Sequence, residues 1–151
     1  MISIAEVMTR NVHTLGPQDS LAQARALMMN KHIRHIPIVN GEQELLGLLT
    51  HRDLLAAADS VLDTADGEQR ARREEAIALE SVMTTDLVSV DEHASLRGAA
   101  LHLQQHKHGC LPVVRDGKLA GIITDSDFVA VAINLLEQLE QADPDPAEDD
   151  F

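Results

Sequence analysis

The sequence predicts an α/β (α+β) fold built from two β-α-β-β-α repeats packed sheet to sheet about a pseudo-twofold axis. Three observations carry that reading. A string of short motifs occurs twice in the same order, each copy alternates β-rich runs with capped amphipathic segments, and the apolar residues are almost all aliphatic. Val7-Met8-Thr9 recurs as Val82-Met83-Thr84, a shift of 75 residues. At the same shift Ser20-Leu21 becomes Ser95-Leu96, and Ile36-Pro37-Ile38-Val39 becomes Leu111-Pro112-Val113-Val114. One residue is then lost, after which Gly47-Leu48-Leu49-Thr50-His51-Arg52-Asp53 recurs as Gly121-Ile122-Ile123-Thr124-Asp125-Ser126-Asp127.

Each element follows from local chemistry. A short β-rich run opens each copy, at Val12 to Leu15 and at Leu87 to Val90. Ser20 and Ser95 then serve as helix N-caps, and Gln23 completes a capping box in the first copy. Leu21, Ala24, Leu27 and Met28 share one face of that first helix at amphipathic spacing. Two apolar runs follow, 35–39 and 45–49, around Asn40-Gly41; their counterparts, 110–114 and 119–123, flank Asp116-Gly117. Asn-Gly and Asp-Gly tolerate positive φ, so each pair of runs reads as a β-hairpin. A second helix starts at Thr50 or Thr124. Two repeats, each with too few elements to cover both faces of a three-stranded sheet, are expected to pack as one module.

The predicted organisation is repeat 1 over residues 1–58, a linker over 59–80, repeat 2 with a C-terminal helix over 81–142, and an acidic tail over 143–151. In the linker, Asp63 to Gly67 reads as a loop and Glu68 to Leu79 as an exposed charged helix. The tail, with Pro144 and Pro146 among acidic residues, reads as disordered.

Composition excludes several function classes. Apolar residues make up 44% of the 151-residue chain, yet Trp and Tyr are absent and Phe128 and Phe151 are the only aromatics. A ligand base would therefore be held by aliphatic side chains. The net charge of −13 is concentrated in the linker and tail, while residues 1–58 carry five basic and five acidic groups. No broad basic face for nucleic acid is expected. No apolar run approaches a membrane span, and no signal-peptide pattern is present, so neither a membrane nor export is expected. Cys110 is the sole cysteine, which excludes an internal disulfide and suits a reducing cytoplasm.

The repeated motifs resemble the CBS domain, named after cystathionine β-synthase, in its tandem-pair form, a stand-alone Bateman module of bacterial type. The resemblance rests on Val-Met-Thr, the Leu/Ile-Pro-Ile/Val-Val strand and Gly-x-x-Thr-x-x-Asp, each present in both copies. It implies clefts between the repeats that take adenosyl ligands such as AMP, ADP, ATP or S-adenosylmethionine, with no cofactor required. It implies a homodimer in the form of a flat disc. It also implies site residues drawn from both repeats: Arg34, His35, Thr50, Arg52 and Asp53 facing Thr84 and Leu87, and Cys110, Ile122, Thr124 and Asp127 facing Thr9 and Val12.

Thr50-x-x-Asp53 and Thr124-x-x-Asp127 also fit an ordinary capping box, which accounts for them without any ligand. The ligand reading places the same helix N-terminus at a cleft, where free N–H groups favour a phosphate and the carboxylate accepts from ribose hydroxyls. Gly47 and Gly121 would allow a ligand close to the backbone. The copies differ around the motif: His32, Arg34, His35, His51 and Arg52 surround the first, whereas Lys107 to Cys110 and Asp125-Ser126 surround the second. An added carboxylate near a polyphosphate costs ~1 kcal/mol in water and ~4 kcal/mol at an effective dielectric of 20. The Asp53 cleft is thus expected to take the more anionic ligand.

His102 and His106 stand at i, i+4, a spacing able to chelate zinc or nickel, but no Glu accompanies them as in His-Glu-x-x-His, and a solvated helix face is the expectation. No catalytic triad or acid/base carboxylate pair emerges. The function expected is a non-catalytic sensor of adenosyl ligands, read by an effector protein in trans. The alternative is a protein-interaction or oligomerisation module with no nucleotide.

Overall fold

The computed structural model describes residues 2–59, 67–106 and 109–142. The acidic tail, most of the predicted linker loop and Lys107-His108 lie outside them. In the first repeat, α1 (Leu21–Lys31) is followed by the antiparallel strands β1 (His35–Val39) and β2 (Leu45–Thr50) and by α2 (His51–Asp59). After α3 (Gly67–Glu75), the second repeat runs through β3 (Val90–Asp91), α4 (Leu96–Gln105), β4 (Cys110–Arg115), β5 (Lys118–Thr124) and α5 (Asp125–Ala142). β3 pairs parallel to β4, and β4 antiparallel to β5.

The Ser20 capping box forms: Gln23 N–H donates to Ser20 Oγ at 3.2 Å, and Ser20 N–H donates to Gln23 Oε1 at 2.8 Å. Ser95 caps α4 through the Gly98 N–H at 3.0 Å. The two hairpins turn differently. Asp116 and Gly117 both adopt positive φ, 52° and 79°, as a two-residue hairpin requires. Around Asn40-Gly41 the positive φ falls on Gln43 instead, at 65°. The reason is the Asn40 side chain, whose Oδ1 accepts from the N–H groups of Glu42 at 2.9 Å and Glu44 at 3.0 Å and so organises a longer loop.

The opening strands are shorter than the sequence suggests. In the first repeat only Leu15 bridges β1, beside Ile38, and in the second the strand is two residues long. The backbone ahead of each is engaged elsewhere. Thr9 pairs with Ile122 in β5, by N–H···O bonds of 2.8 and 3.0 Å, and Thr84 pairs with Leu48 in β2, both bonds at 2.9 Å. Each repeat's entry segment is thereby tied to the other repeat's sheet.

This exchange extends into both cores. Ile4 and Ala5 donate to the carbonyls of Ala94 and Glu92 (3.2 and 3.0 Å), and Leu79 and Glu80 donate to those of Asp19 and Pro17 (2.9 and 3.0 Å). Those four bonds are equivalent under the 75-residue shift. Leu79 is fully buried among Leu21, Met28, Ile36, Ile38, Leu49 and Leu54. Ile4 and Met8 are buried among Leu96, Leu103, Leu111, Val113 and Ile123. Burying a side chain such as Ile4 or Leu79 is worth roughly 1.5–3 kcal/mol, so each entry segment stabilises the repeat it visits.

The predicted charged linker helix ends four residues early and is not simply exposed. Glu74 is 4% exposed, and its carboxylate receives Arg25 of α1 in a forked ion pair, Nη2–Oε1 2.6 Å and Nε–Oε2 2.9 Å. Bidentate geometry of this kind fixes orientation as well as energy. His106 differs from expectation too. It is the residue that caps α4, with extended backbone, so its ring stacks on His102 at a centroid distance of 4.0 Å rather than continuing a helical ligand face. Among the described residues no group of three or more His, Cys, Asp or Glu could hold a metal ion. No described helix is long and apolar enough to cross a membrane.

Candidate ligand cleft between the repeats

The helix starts of α2 and α5 place the repeated Thr and Asp. In the first repeat the capping box closes fully: Asp53 N–H donates to Thr50 Oγ1 at 3.1 Å, and Thr50 N–H donates to Asp53 Oδ2 at 2.9 Å. In the second, Thr124 N–H donates to Asp127 Oδ2 at 2.8 Å. Both carboxylates also accept from a threonine of the opposite repeat's entry segment. Thr84 Oγ1 lies 3.2 Å from Asp53 Oδ2, and Thr9 Oγ1 lies 3.0 Å from Asp127 Oδ1. Capping is therefore one of two jobs done by each Asp, and the other is to latch the two repeats together. An ionised carboxylate offers about four acceptor positions, which leaves room for a further donor.

One open cavity of about 900 Å³ lies between these loops. Thr50 and Asp53 face it from the first repeat and Thr124 from the second. The entry segment contributes Thr9 and Val12, and β5 contributes Ile122. Across its middle, His35 and Asp125 both approach Gly109, where a Cβ would meet Asp125 Oδ2 at 3.5 Å and His35 Nε2 at 3.7 Å. Gly109 holds φ +67°, a left-handed conformation that suits glycine, while a Cβ there would find only ordinary van der Waals contact.

Residues 4–60 and 79–134 match the CBS domain. The chain belongs to the CBS domain family, as a tandem pair. It is similar to a CBS domain-containing protein of Bacillus subtilis, YhcV, with 34% identity over 129 residues that span 85% of this chain and 84% of the relative. Among solved structures it resembles AcuB of Vibrio cholerae, a candidate acetoin utilization protein, at 47% identity and a TM-score of 0.82 over 93% of this chain and 98% of that one. It also resembles CBSX2 of Arabidopsis thaliana in complex with AMP, at 27% identity and a TM-score of 0.76, covering 90% of this chain and 99% of that one. Several other curated relatives are longer. The chain spans 32% of an uncharacterized protein of Methanocaldococcus jannaschii and 23% of a homoserine O-acetyltransferase of Methanococcus vannielii.

Within this CBS pair, nine of the residues singled out from sequence surround this cavity: Thr9, Val12, Arg34, His35, Thr50, Arg52, Asp53, Ile122 and Thr124. Four do not line it. Asp127 sits behind Thr9, which takes its outer oxygen, and Thr84 is turned onto Asp53. Leu87 is half-buried away from the cavity. Cys110 is buried, 5% exposed, and its thiol is pushed up to about 12, first by burial and then by the charges of Asp127 and Asp125. Residues of both expected clefts, Thr50 and Asp53 from one and Thr9 and Thr124 from the other, border this cavity, which forms a continuous trough. Asn11 and His13 line it without having been singled out. They flank Val12 on the same entry segment, which bends where Val12 N–H donates back to the Arg10 carbonyl at 3.0 Å, and no periodic sequence signal marks them.

Proposed function

We propose that this CBS pair is a non-catalytic regulatory module that binds an adenosyl ligand (AMP, ADP, ATP or S-adenosylmethionine) in the cleft between the repeats. The observation that carries this reading is the convergence of the starts of α2 and α5, with Thr50, Asp53 and Thr124, on one cavity of about 900 Å³. A helix N-terminus favours phosphate, and a first-turn carboxylate is a natural acceptor for ribose hydroxyls. AMP bound to CBSX2, a solved relative of 27% identity, supports the ligand class. Arg34, His51 and Arg52 line the Asp53 side, and Asp125 and Ser126 the other, which supports placement of the more anionic ligand near Asp53.

Occupancy has a physical route outward. A ribose donating to Asp53 joins Thr84 on the same carboxylate, so a bound ligand touches the latch between the repeats directly. An effector in trans, in a cytoplasmic setting, would read a changed angle between the repeats, and the 47% identity to AcuB makes proteins of acetoin utilization the first effectors to try. A homodimer belongs to the same reading. It is supported by α5, where Val129, Ile133, Leu136 and Leu139 recur at helical spacing and are 53–66% exposed.

Calorimetric titration with AMP, ADP, ATP and S-adenosylmethionine tests the proposal, repeated on Asp53→Ala and Asp127→Ala. Binding of at least one ligand is expected, with the anionic ligands hurt more by Asp53→Ala. A folded wild type that binds none of the four would overturn the adenosyl reading, and equal losses for every ligand would overturn the asymmetry.

A further inference from the structure

Half of the histidines of this chain border one cavity. His13, His32, His35 and His51 line the trough, four of the eight in the sequence. The fixed charges around them cancel: among the described lining residues Arg34 and Arg52 are matched by Asp53 and Asp125, and Asp127 stands just behind Thr9. With neutral imidazoles the trough therefore has no net positive charge to offer a phosphate. Each imidazole that gains a proton adds one. Histidine is the side chain whose ordinary titration falls between pH 5 and 8.

The placement of these rings strengthens the point. His32, His13 and His51 are exposed at the rim, where a ring can both exchange protons and meet a ligand. His32 ends α1 with φ +54°, a left-handed conformation that glycine or asparagine adopts at less cost. His51 is the first residue of α2, next to Thr50, and its N–H is anchored by the Arg34 carbonyl at 2.8 Å. Three elements thus deliver imidazoles and guanidinium groups to one end of the trough: the α1 terminus, the start of β1 and the start of α2. The acidic groups facing them are Asp53 on α2 and Asp125 on α5.

We propose that the cleft takes up protons on its histidines as an anionic ligand binds, so that it favours a polyphosphate over a neutral adenosyl ligand, and increasingly so as pH falls. The proposal rests on the adenosyl-binding reading above and makes the ligand's charge the selected property. A bound phosphate stabilises the protonated imidazoles. Affinity is then greatest where the free histidines are already charged, and it is lost as pH rises through the titration of the complex.

The experiment is calorimetry of ATP and of adenosine at about pH 6 and about pH 8. Near pH 7, buffers of different ionisation enthalpy count the protons taken up. The wild type is compared with His32→Asn/His51→Gln and, separately, with His13→Gln. ATP carries its own titrating phosphate, but that contribution is the same for every protein, so the difference between wild type and variant isolates the histidines. The wild type should take up more protons per ATP than the double variant. Its preference for ATP over adenosine should grow about tenfold from the higher to the lower pH, the change expected for a one-unit shift at one group. Equal uptake and equal preference in wild type and both variants would overturn proton coupling while leaving ligand binding intact. No heat with ATP, adenosine, AMP or S-adenosylmethionine at either pH would overturn both.

Discussion

At Asp53 and Asp127 a single carboxylate holds the cap of a helix, the crossing of two repeats and the rim of a cleft, so neither residue can be assigned one role. Thr-x-x-Asp is legible in the sequence because all its atoms are close along the chain. The partner of each Asp, Thr84 or Thr9, is not legible in that way, since it depends on a crossing between residues 31 and 118 positions apart. Asn11 and His13 reach the cavity through that crossing and carry no local signal of it. Two further residues make measurable commitments. The Cys110 thiol, raised from an ordinary 9.0 to about 12, stays protonated at neutral pH. It should react with a maleimide or disulfide reagent far more slowly in the folded protein than in denaturant. Because the folded thiol titrates higher than the unfolded one, stability should also fall as pH rises between 9.0 and about 12, and Cys110→Ala should remove that alkaline loss. Gly121 packs against Thr9 so closely that a Cβ would lie 2.6 Å from its carbonyl oxygen, which the crossing bonds hold in place. Gly121→Ala should cost about 2 kcal/mol and lower the melting temperature by roughly 4–8 °C. Gly47→Ala, whose nearest obstacle is the flexible Met83 thioether at 2.6 Å, should cost clearly less.

Elements were legible where local chemistry decides them alone. Ser20 with Gln23 fixes the start of α1, and Asp116-Gly117 fixes a hairpin, because each needs only its own neighbours. The Asn40-Gly41 turn went another way when the Asn40 side chain found two backbone donors, a competition that the Asn-Gly pair does not reveal. The opening strands were overestimated because β-rich composition reports propensity and not which sheet claims the backbone. α3 shows the same limit. Its sequence is that of a solvated helix, yet one glutamate is buried on Arg25, whose guanidinium it holds more firmly protonated. Removing that carboxylate should leave Arg25 without its forked partner and release α3 from α1. Glu74→Ala is expected to cost about 2 kcal/mol in chemical denaturation, whereas Glu75→Ala, one residue on and exposed, should be within about 0.5 kcal/mol of wild type.

For the molecule as a whole, the twofold pattern in the sequence correctly announced two repeats in one module, although it could not announce that they exchange their entry segments. The stripe on α5 bears on assembly. A face holding Val129, Ile133, Leu136 and Leu139 in the open is the surface a second copy would cover. Leu136→Glu should shift a dimer to monomer in light scattering after size exclusion, with little change in the monomer's helicity; a wild type already monomeric would refute the dimer. The exchanged segments have a consequence of another kind, in the order of synthesis. Ile4 and Met8 leave the ribosome well before the core that buries them, which is complete only when Ile123 has emerged. The first repeat, in turn, must wait for Leu79. At about 5–20 residues per second, the nascent chain carries a bare apolar leader for several seconds before its last strand arrives.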